Sequence, residues 1–282
     1  MPKNYLIGLD IGGTKIRGVL WNGAKCLADF ELATPEDNLE HFLIMVKAVV
    51  DPLLGRAVTE QGKISGLGAG LAGTFDSADR KMLRSPNLPI LDGVNLAERL
   101  ENFLGLPVAL GNDADCFTRA EALFGAGRGY HDVYGLVIGT GIGGGWWHGG
   151  QIYRGAHGWT NEPGALIVDA DSGLNLEGNF HALLRREPDK LSREALLGNA
   201  RAQDAFADFG RLLGAALANI ANVIDPEIFV LGGGVMAADD LFLAQVKKEM
   251  KARIESPEAA KKIKVVKAKL GRDAGAIGAA LL

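Results

Sequence analysis

The sequence predicts an α/β protein with two domains, and three observations lead to that prediction. Segments with the pattern of buried strands alternate with segments of helical spacing. A strand–turn–strand segment near the N-terminus recurs in the second half of the chain. The 282 residues, 48% of them hydrophobic, suffice for two cores. We expect domains over residues 1–115 and 116–282. The C-terminal helix at about 273–282 could pack against the first domain.

The first strand–turn–strand segment runs from Leu6 to Val19. Apolar residues lead to Asp10, two glycines and a threonine form a turn, and apolar residues resume at Ile16. Such a tip exposes backbone N–H groups that suit a phosphate. Asp10 beside it could hold a metal ion or its waters. Taken alone, an ordinary glycine-rich hairpin is the better explanation.

A second copy of the pattern changes that balance. At a constant offset, five residues of the first segment recur in the second half, as Gly135, Leu136, Ile138, Gly139 and Gly145. Asp10 has no acidic counterpart, since Val137 stands in its place. The sequence therefore predicts two phosphate-binding hairpins that face one cleft, with a single metal ion at the first.

The remaining elements of the first half follow from local patterns. Residues 26–34 have a strand pattern, and 38–58 carry apolar residues at helical spacing. Residues 63–70 form a short buried strand pattern. A helix is expected over 96–104 and a strand over 107–110, after which Asn112 or Asp113 caps a helix that ends near Phe124.

The second half continues the alternation. A strand begins at Val133, and apolar residues from Phe206 to Ile224 space as one long helix that Asp225-Pro226 ends. The later elements are predicted as a strand at 228–231, a helix at about 237–254, a strand at 263–266 and the last helix at 273–282.

Composition disfavours several classes of function. The net charge of −4 and the lack of a basic block argue against nucleic acid. Cys26 and Cys116 form no C-x-x-C motif and no disulfide framework. The chain has no long apolar run and no signal-peptide pattern, so we expect no membrane partner and a cytoplasmic location.

Two glycine-rich stretches match G-x-G-x-x-G, beginning at Gly68 and at Gly139, but a helix is not expected after either. A dehydrogenase is therefore disfavoured.

Asn112-Asp113 follows a strand and opens a helix. This position is consistent with a capping role and also with a catalytic carboxylate at the end of the strand. Glu162 has no periodic context and is a weak candidate on its own. Gly232-Gly233-Gly234 suits either a tight turn or contact with an adenosine.

Taken together and in order, these motifs resemble the ROK family of sugar kinases and repressors, within the actin-like ATPase superfamily. The resemblance covers nearly the whole chain, and it is carried by residues 9–15, 85–89, 111–114, 139–145, 225–235 and 273–280. It implies an actin-like, ribonuclease H-like fold with mixed sheets and a ligand cleft between the domains.

The resemblance also implies roles for individual residues. Asp10 would hold Mg²⁺ through water, and Asp113 would be the general base. The sugar would be bound by Gly73, Asn87, Asn112, Glu162 and Glu177. ATP would be bound by Gly12, Gly13, Thr14, Lys15, Thr140, Gly141, Gly233 and Gly234. A domain closure would bring the γ-phosphoryl group in line with the sugar 6-hydroxyl.

The chain departs from the family at its zinc loop. Relatives carry Glu-x-Gly-His and three cysteines, but here Ala165 replaces the histidine and no cysteine follows Cys116. We therefore expect no zinc, and we expect Trp159 and Pro163 to brace the loop. His157 is a disfavoured substitute for the lost imidazole.

The resemblance implies an ATP-dependent hexose kinase that makes the 6-phosphate, with glucose-like sugars first. Fructose, mannose and N-acetylated hexosamines are alternatives, as is a catalytically weak sugar or nucleotide binder. We do not expect a repressor of this family, because its DNA-binding segment would precede a hairpin that here begins at Tyr5. Hexose and ATP are the expected partners, with a homodimer possible.

Overall fold

A computed structural model describes residues 3–76, 81–185 and 187–282. Contacts between Cα atoms group the chain into two compact units. Unit 1 comprises Met1–Phe124, Arg154–Trp159 and Arg272–Leu282, and unit 2 comprises Gly125–Tyr153 and Thr160–Gly271. This grouping assigns residues 116–124 to unit 1, whereas the predicted division assigned them to the second domain.

Strands and helices alternate along the chain. The strands are β1 (Lys3–Ile11), β2 (Lys15–Trp21), β3 (Cys26–Ala33), β4 (Gly62–Leu71), β5 (Thr74–Asp76), β6 (Lys81–Arg84), β7 (Val108–Asn112), β8 (Asp132–Ile138), β9 (Ile142–His148), β10 (Gln151–Ile152), β11 (Ile228–Gly232) and β12 (Lys264–Lys267). The α-helices are α1 (Leu39–Thr59), α2 (Leu96–Leu104), α3 (Asp113–Phe124), α4 (Leu176–Leu183), α5 (Pro188–Leu196), α6 (Ala200–Ile224), α7 (Leu243–Arg253), α8 (Pro257–Lys262) and α9 (Ala274–Ala280).

Unit 1 is built on a mixed five-stranded sheet in the order β3-β2-β1-β4-β7. The first hairpin pairs β1 and β2 antiparallel, while β1, β4 and β7 run parallel. Alternate residues of β1, such as Ile7 and Leu9, join a core that includes Phe42 and Val46 of α1. Apolar side chains thus cover one face of the sheet, as the helical spacing of α1 predicts.

The opposite face of this sheet is covered by α9, which approaches the strands backbone to backbone. A Cβ atom at Gly8 of β1 would overlap the carbonyl of Ala276, and one at Gly68 of β4 would overlap that of Ala279. On the other side of α9, a Cβ at Gly278 would overlap the carbonyl of Cys116. Only glycine fits at these three positions, because any side chain would push the helix off the sheet.

Unit 2 repeats this plan with a sheet in the order β10-β9-β8-β11-β12. The second hairpin pairs β8 with β9 antiparallel, and β8, β11 and β12 run parallel. The long helix α6 buries Phe206 and Phe209 in the core of this unit. It ends where Asp225 adopts a left-handed conformation (φ 46°), so the predicted stop before Pro226 is confirmed.

The helix predicted over 237–254 is wrong in its first part. Residues Gly234–Leu241 form a 3₁₀ segment, kinked at Ala238, and α7 begins only at Leu243. The backbone leaves β11 through Gly233 at φ 92°, and Val235 and Met236 are buried directly after it. The chain therefore turns tightly before a regular helix can start.

The structure also contains helices α4, α5 and α8, which the sequence patterns did not predict. Among the described residues, no helix has both the length and the apolar character needed to cross a bilayer.

Candidate active-site residues

The predicted metal ligand and the predicted base lie at the same edge of the unit 1 sheet. In the parallel register, Asp10 of β1 is level with Gly70 of β4, which is level with Gly111 of β7. Asp10 and the Asn112-Asp113 pair therefore stand at the carboxyl ends of strands two positions apart, with backbones about 10 Å from each other. Ligands of α/β proteins bind at such an edge.

Asn112 and Asp113 form the start of α3. The Asn112 side-chain oxygen accepts hydrogen bonds from the N–H groups of Ala114 (2.9 Å) and Asp115 (3.2 Å), so Asn112 caps the helix. One Asp113 oxygen accepts from Ala114 N at 2.9 Å. Burial raises the pKa of Asp113, and the neighbouring backbone N–H groups partly oppose that effect. A carboxylate with a raised pKa is a better proton acceptor.

The side chain of Asp10 is half-buried. Burial raises the pKa of Asp10 to about 7, the negative charge of Asp113 adds to the shift, and Arg17 opposes it. The described residues contain no cluster of three or more histidine, cysteine or acidic side chains that could enclose a metal ion. An isolated carboxylate of this kind fits Mg²⁺, which keeps several waters and takes only one or two protein carboxylates.

Arg17, which the sequence reasoning missed, lies opposite Asp10 in the first hairpin. The buried guanidinium donates to Asp273 (Nε, 2.8 Å), Asp29 (Nη2, 2.9 Å) and Glu31 (Nη1, 3.3 Å). Burial opposes its charge, but these bonds and charges outweigh that effect and raise the pKa of Arg17. A charged residue inside an apolar strand pattern was the available signal, because such a residue needs partners when buried.

The tip of the first hairpin contacts the predicted sugar ligand Asn87. Gly12 N donates to the carbonyl of Lys15 at 2.9 Å and closes the turn. A Cβ at Gly13 would lie 3.1 Å from Cβ of Asn87, so the two residues are in close contact. Thr14 is exposed, and the amine of Lys15 pairs with Glu31 at 2.8 Å.

The segment that carries Asn87 is held by its own polar contacts. Ser85 N donates to Asp92 Oδ1 at 2.7 Å, and the Ser85 hydroxyl donates to the carbonyl of Ala72 at 3.2 Å. Gly73 adopts φ 145°, where a Cβ would overlap the Arg84 carbonyl of β6. The glycine at position 73 is therefore required by the backbone, whatever else it contacts.

In unit 2, Glu177 is hydrogen-bonded to the second hairpin. Its Oε2 accepts from Ile142 N at 2.6 Å, directly beside the tip residues Thr140 and Gly141. Gly139 N donates to the Gly141 carbonyl at 2.9 Å and closes that tip. The predicted sugar ligand Glu177 thus also contacts the predicted phosphate loop.

Glu162 lines a cavity of about 420 Å³ together with aromatic residues, among them Tyr134, Trp146 and Tyr153. The residue before it, Asn161, has φ 66°, and its amide donates to the Tyr153 carbonyl at 2.8 Å. Asparagine tolerates this left-handed conformation better than most residues.

The loop at which we expect no zinc is held by hydrogen bonds. The buried amide Nδ2 of Asn179 lies 3.1–3.2 Å from three acceptors: Ser172 Oγ and the carbonyls of Leu174 and Asn175. Leu176 N donates to the Leu166 carbonyl at 2.8 Å. The sequence reasoning missed Asn179, and its only signal was an amide one turn into a helix.

Of the two predicted braces, only Pro163 is packed. A Cβ at Gly144 of β9 would lie 2.8 Å from Pro163 Cδ, so the proline rests on the strand. The prediction for Trp159 is wrong, because its side chain is 60% exposed and buries too little surface to fix a loop. His157 is also exposed, with its ring 6.4 Å from that of Trp159.

The predicted adenosine residues differ in their surroundings. Gly233 is pressed against the backbone of Ile138 at the base of the second hairpin, and a Cβ there would lie 2.6 Å from the Ile138 carbonyl carbon. Gly234 has open space where its Cβ would be. Gly233 is therefore explained by packing, and Gly234 is the one with room for a ligand.

Comparison with known proteins gives one family. A model of the ROK family matches residues 6–282. The N-acetylgalactosamine kinase AgaK of Shewanella sp. (strain ANA-3) is 32% identical over 302 residues, which cover 98% of this chain and 95% of that protein. The glucokinase of Thermotoga maritima is 29% identical, over 99% of this chain and 97% of that protein.

A solved structure agrees with these relatives. The crystal structure of a ROK family glucokinase from Streptomyces griseus, in complex with glucose and AMPPNP, has a TM-score of 0.81. It is 30% identical in sequence, and the match covers 98% of both chains. The predicted actin-like fold class and the predicted enzyme class, a sugar kinase, are confirmed. The chain belongs to the ROK family.

Proposed function

We propose that this protein transfers the γ-phosphoryl group of ATP to the 6-hydroxyl of a hexose. The observation that carries the proposal is the placement of Asp10 and Asp113 at one sheet edge, each with a raised pKa. Two carboxylates that both resist ionisation are uncommon away from functional sites. A phosphoryl transfer uses them as metal anchor and proton acceptor.

Asp113 is the proposed general base. Its backbone partner Ala114 N holds one oxygen in place, so the carboxylate has a fixed direction from the start of α3. Its raised pKa lets it take the proton of the attacking hydroxyl at neutral pH. Because Asn112 Oδ1 is occupied by the helix cap, its Nδ2 is the atom to donate to a sugar hydroxyl.

Asp10 is the proposed partner of Mg²⁺, through water. When bound, Mg²⁺ neutralises charge on the β- and γ-phosphates of ATP. The carboxylate supplies the hard oxygen ligand that this ion prefers. Arg17 favours the ionised form of Asp10, in which it attracts a cation.

The other ligands follow the division between acceptor and nucleotide. The acceptor ligands proposed are Gly73, Asn87, Asn112, Glu162 and Glu177. The nucleotide ligands proposed are Gly12, Gly13, Thr14, Lys15, Thr140, Gly141, Gly233 and Gly234. Contact between Gly13 and Asn87, and between Glu177 and the amide of Ile142, supports both sets, because acceptor and phosphate residues meet in each unit.

Glucose-like sugars are the first proposed substrates. Relatives at similar identity are named for glucose and for N-acetylgalactosamine, so N-acetylated hexosamines come next, then mannose and fructose. Ala165 removes an imidazole from the proposed acceptor site, which also keeps a weak sugar binder as the second candidate. A cytoplasmic location and a homodimer stay predictions.

A coupled assay of a hexose panel with Mg²⁺-ATP tests the proposal. We expect ADP release with at least one hexose and a 6-phosphate product by ³¹P NMR. The matched control is Asp113→Asn, which keeps the size of the side chain and removes the base. Sugar binding without turnover in the wild-type protein would favour the second candidate, and turnover by the Asp113→Asn variant at the wild-type rate would exclude Asp113 as the base.

A further inference from the structure

We infer that Glu177 mechanically couples the second hairpin to the segment 161–166, so that nucleotide and acceptor binding depend on each other. We call 161–166 the acceptor loop, because it contains the proposed sugar ligand Glu162. The inference rests on the proposed function for the identity of the two ligands. It adds a positioning role to Glu177 that its predicted contact with the sugar does not include.

The first part of the coupling is the contact between Glu177 and the hairpin. Oε2 of Glu177 accepts from Ile142 N at 2.6 Å, and a Cβ at Gly141 would lie 2.5 Å from the same oxygen. The carboxylate therefore fills the space that a side chain at Gly141 would need. A hydrogen bond from a backbone N–H to a charged oxygen is about twice as strong as a neutral one.

The second part is the contact between Glu177 and the acceptor loop. A Cβ at Gly164 would lie 3.3 Å from Oε2 and 3.4 Å from Cβ of Glu177. The same position is only 2.6 Å from the carbonyl of Ile142. Hairpin, carboxylate and loop thus meet at two glycines with no space between them, and none can move far without the others.

The third part is the rigidity of the helix that carries Glu177. The Asn175 side chain caps α4 by accepting from Gly178 N at 2.8 Å, and Leu176 N donates to the carbonyl of Leu166 at 2.8 Å. Asn179 ties the preceding turn to the same helix. The start of α4 is therefore bonded to the end of the acceptor loop and cannot adjust independently.

These contacts predict reciprocal effects between the two ligands. A phosphate that orders Thr140 and Gly141 also fixes Ile142 N, hence Glu177 and Gly164. The acceptor loop is then ordered before the sugar arrives, and the sugar binds at a lower entropic cost. By linkage, the acceptor must strengthen nucleotide binding by the same factor.

Hydrogen exchange with Mg²⁺-AMPPNP as the probe tests this without requiring the correct sugar. In the wild-type protein we expect slower exchange in 139–145 and also in 161–166. In Glu177→Ala we expect slower exchange in 139–145 only. Calorimetry with glucose gives the second readout: at least about fivefold tighter binding in the presence of AMPPNP for the wild type, and less than about twofold enhancement for Glu177→Ala.

Three further variants separate coupling from folding. Glu177→Gln keeps an acceptor oxygen and should retain the protection of 161–166. Gly164→Ala leaves Glu177 intact but collides with the Ile142 carbonyl, so it should lose that protection. Gly55→Ala in α1 has no atom within 4 Å of its added Cβ and should behave as wild type.

Three results would overturn the inference, and they are distinguishable. If AMPPNP protects 139–145 but not 161–166 in the wild type, or if Glu177→Ala keeps both effects, Glu177 does not couple the sites. If AMPPNP fails to protect 139–145 at all, the proposed nucleotide site itself is wrong and the inference falls with it.

Discussion

Replacing Asp10 with asparagine should stabilise the protein while it removes activity. In the folded chain, burial raises the pKa of Asp10 to about 7 from an ordinary value of 3.8. One pKa unit corresponds to 1.36 kcal/mol, so the ionised carboxylate costs the folded state about 4 kcal/mol at neutral pH and above. An asparagine of the same shape avoids that cost.

The pH dependence follows from the direction of the shift. Between about pH 4 and about pH 7 the folded chain holds the proton of Asp10 and the unfolded chain does not. The contribution of Asp10 to the free energy of unfolding therefore falls as the pH rises through this window and is constant above it. The asparagine variant has no such titration. Its advantage should be about 2–4 kcal/mol at pH 8 and close to zero at pH 4, with the lower figure allowing for unpaired amide hydrogens.

Calorimetry of the wild type and Asp10→Asn at pH 5, 6, 7 and 8 measures this difference. An advantage of that size raises the melting temperature of unit 1 by roughly 5–15 °C at pH 8. Groups that do not interact with Asp10 titrate alike in both proteins and cancel in the comparison, whereas Asp113 and Arg17, which do interact with it, contribute to the difference. An asparagine variant that is no more stable at pH 8, or one whose advantage grows as the pH falls, would refute the assigned burial of Asp10.

Three other predictions concern the base, the loop and the sheet of unit 1. Asp113→Asn should lower kcat at least about 100-fold with the Kd for AMPPNP nearly unchanged; a rate within a few-fold of wild type would exclude the assigned base. Protein purified without chelator should contain no zinc by elemental analysis and keep its activity in 1,10-phenanthroline, whereas about one zinc per chain would show that the Asn179 contacts do not suffice. Gly8→Ala should destabilise the fold by about 3 kcal/mol or more, because its Cβ meets the backbone of α9; in Gly55→Ala, at an open helical position, stability should be equal or slightly higher.

The hairpins and the sheet edge could be predicted because their signals are local. A run of apolar residues, a glycine-rich turn and a repeat of the same spacing are sufficient to place Gly12 and Gly139 at comparable positions. Asn112 could be predicted as a cap for the same reason, since a capping residue bonds only to the next few N–H groups. The structure confirms the antiparallel pairing of the first hairpin and shows that Asn112, one of the two predicted capping candidates, caps α3.

What could not be predicted depends on contacts between residues distant in sequence. The bond from Ile142 N to Glu177 joins residues 35 positions apart, and no periodic pattern encodes it. The exposure of Trp159 could not be predicted either, because a large aromatic ring is usually buried and nothing in the neighbouring sequence indicates that this one is exposed. The 3₁₀ segment Gly234–Leu241 follows from the tight exit at Gly233, which tertiary packing imposes on a pattern that otherwise favours a helix.

The close packing of α9 on Gly8 and Gly68 of the unit 1 sheet affects the order in which the chain folds during synthesis. During synthesis, β1 and β4 emerge early, but the helix that covers them through Gly8 and Gly68 emerges only after all of unit 2. Until then the face that carries Gly8 and Gly68 lacks α9, and at ribosomal rates of about 5–20 residues per second the roughly 200 residues between β4 and α9 take about 10–40 s to make. Unit 1 can thus complete its fold only after unit 2 has been synthesised, which departs from the usual N-terminal-first order.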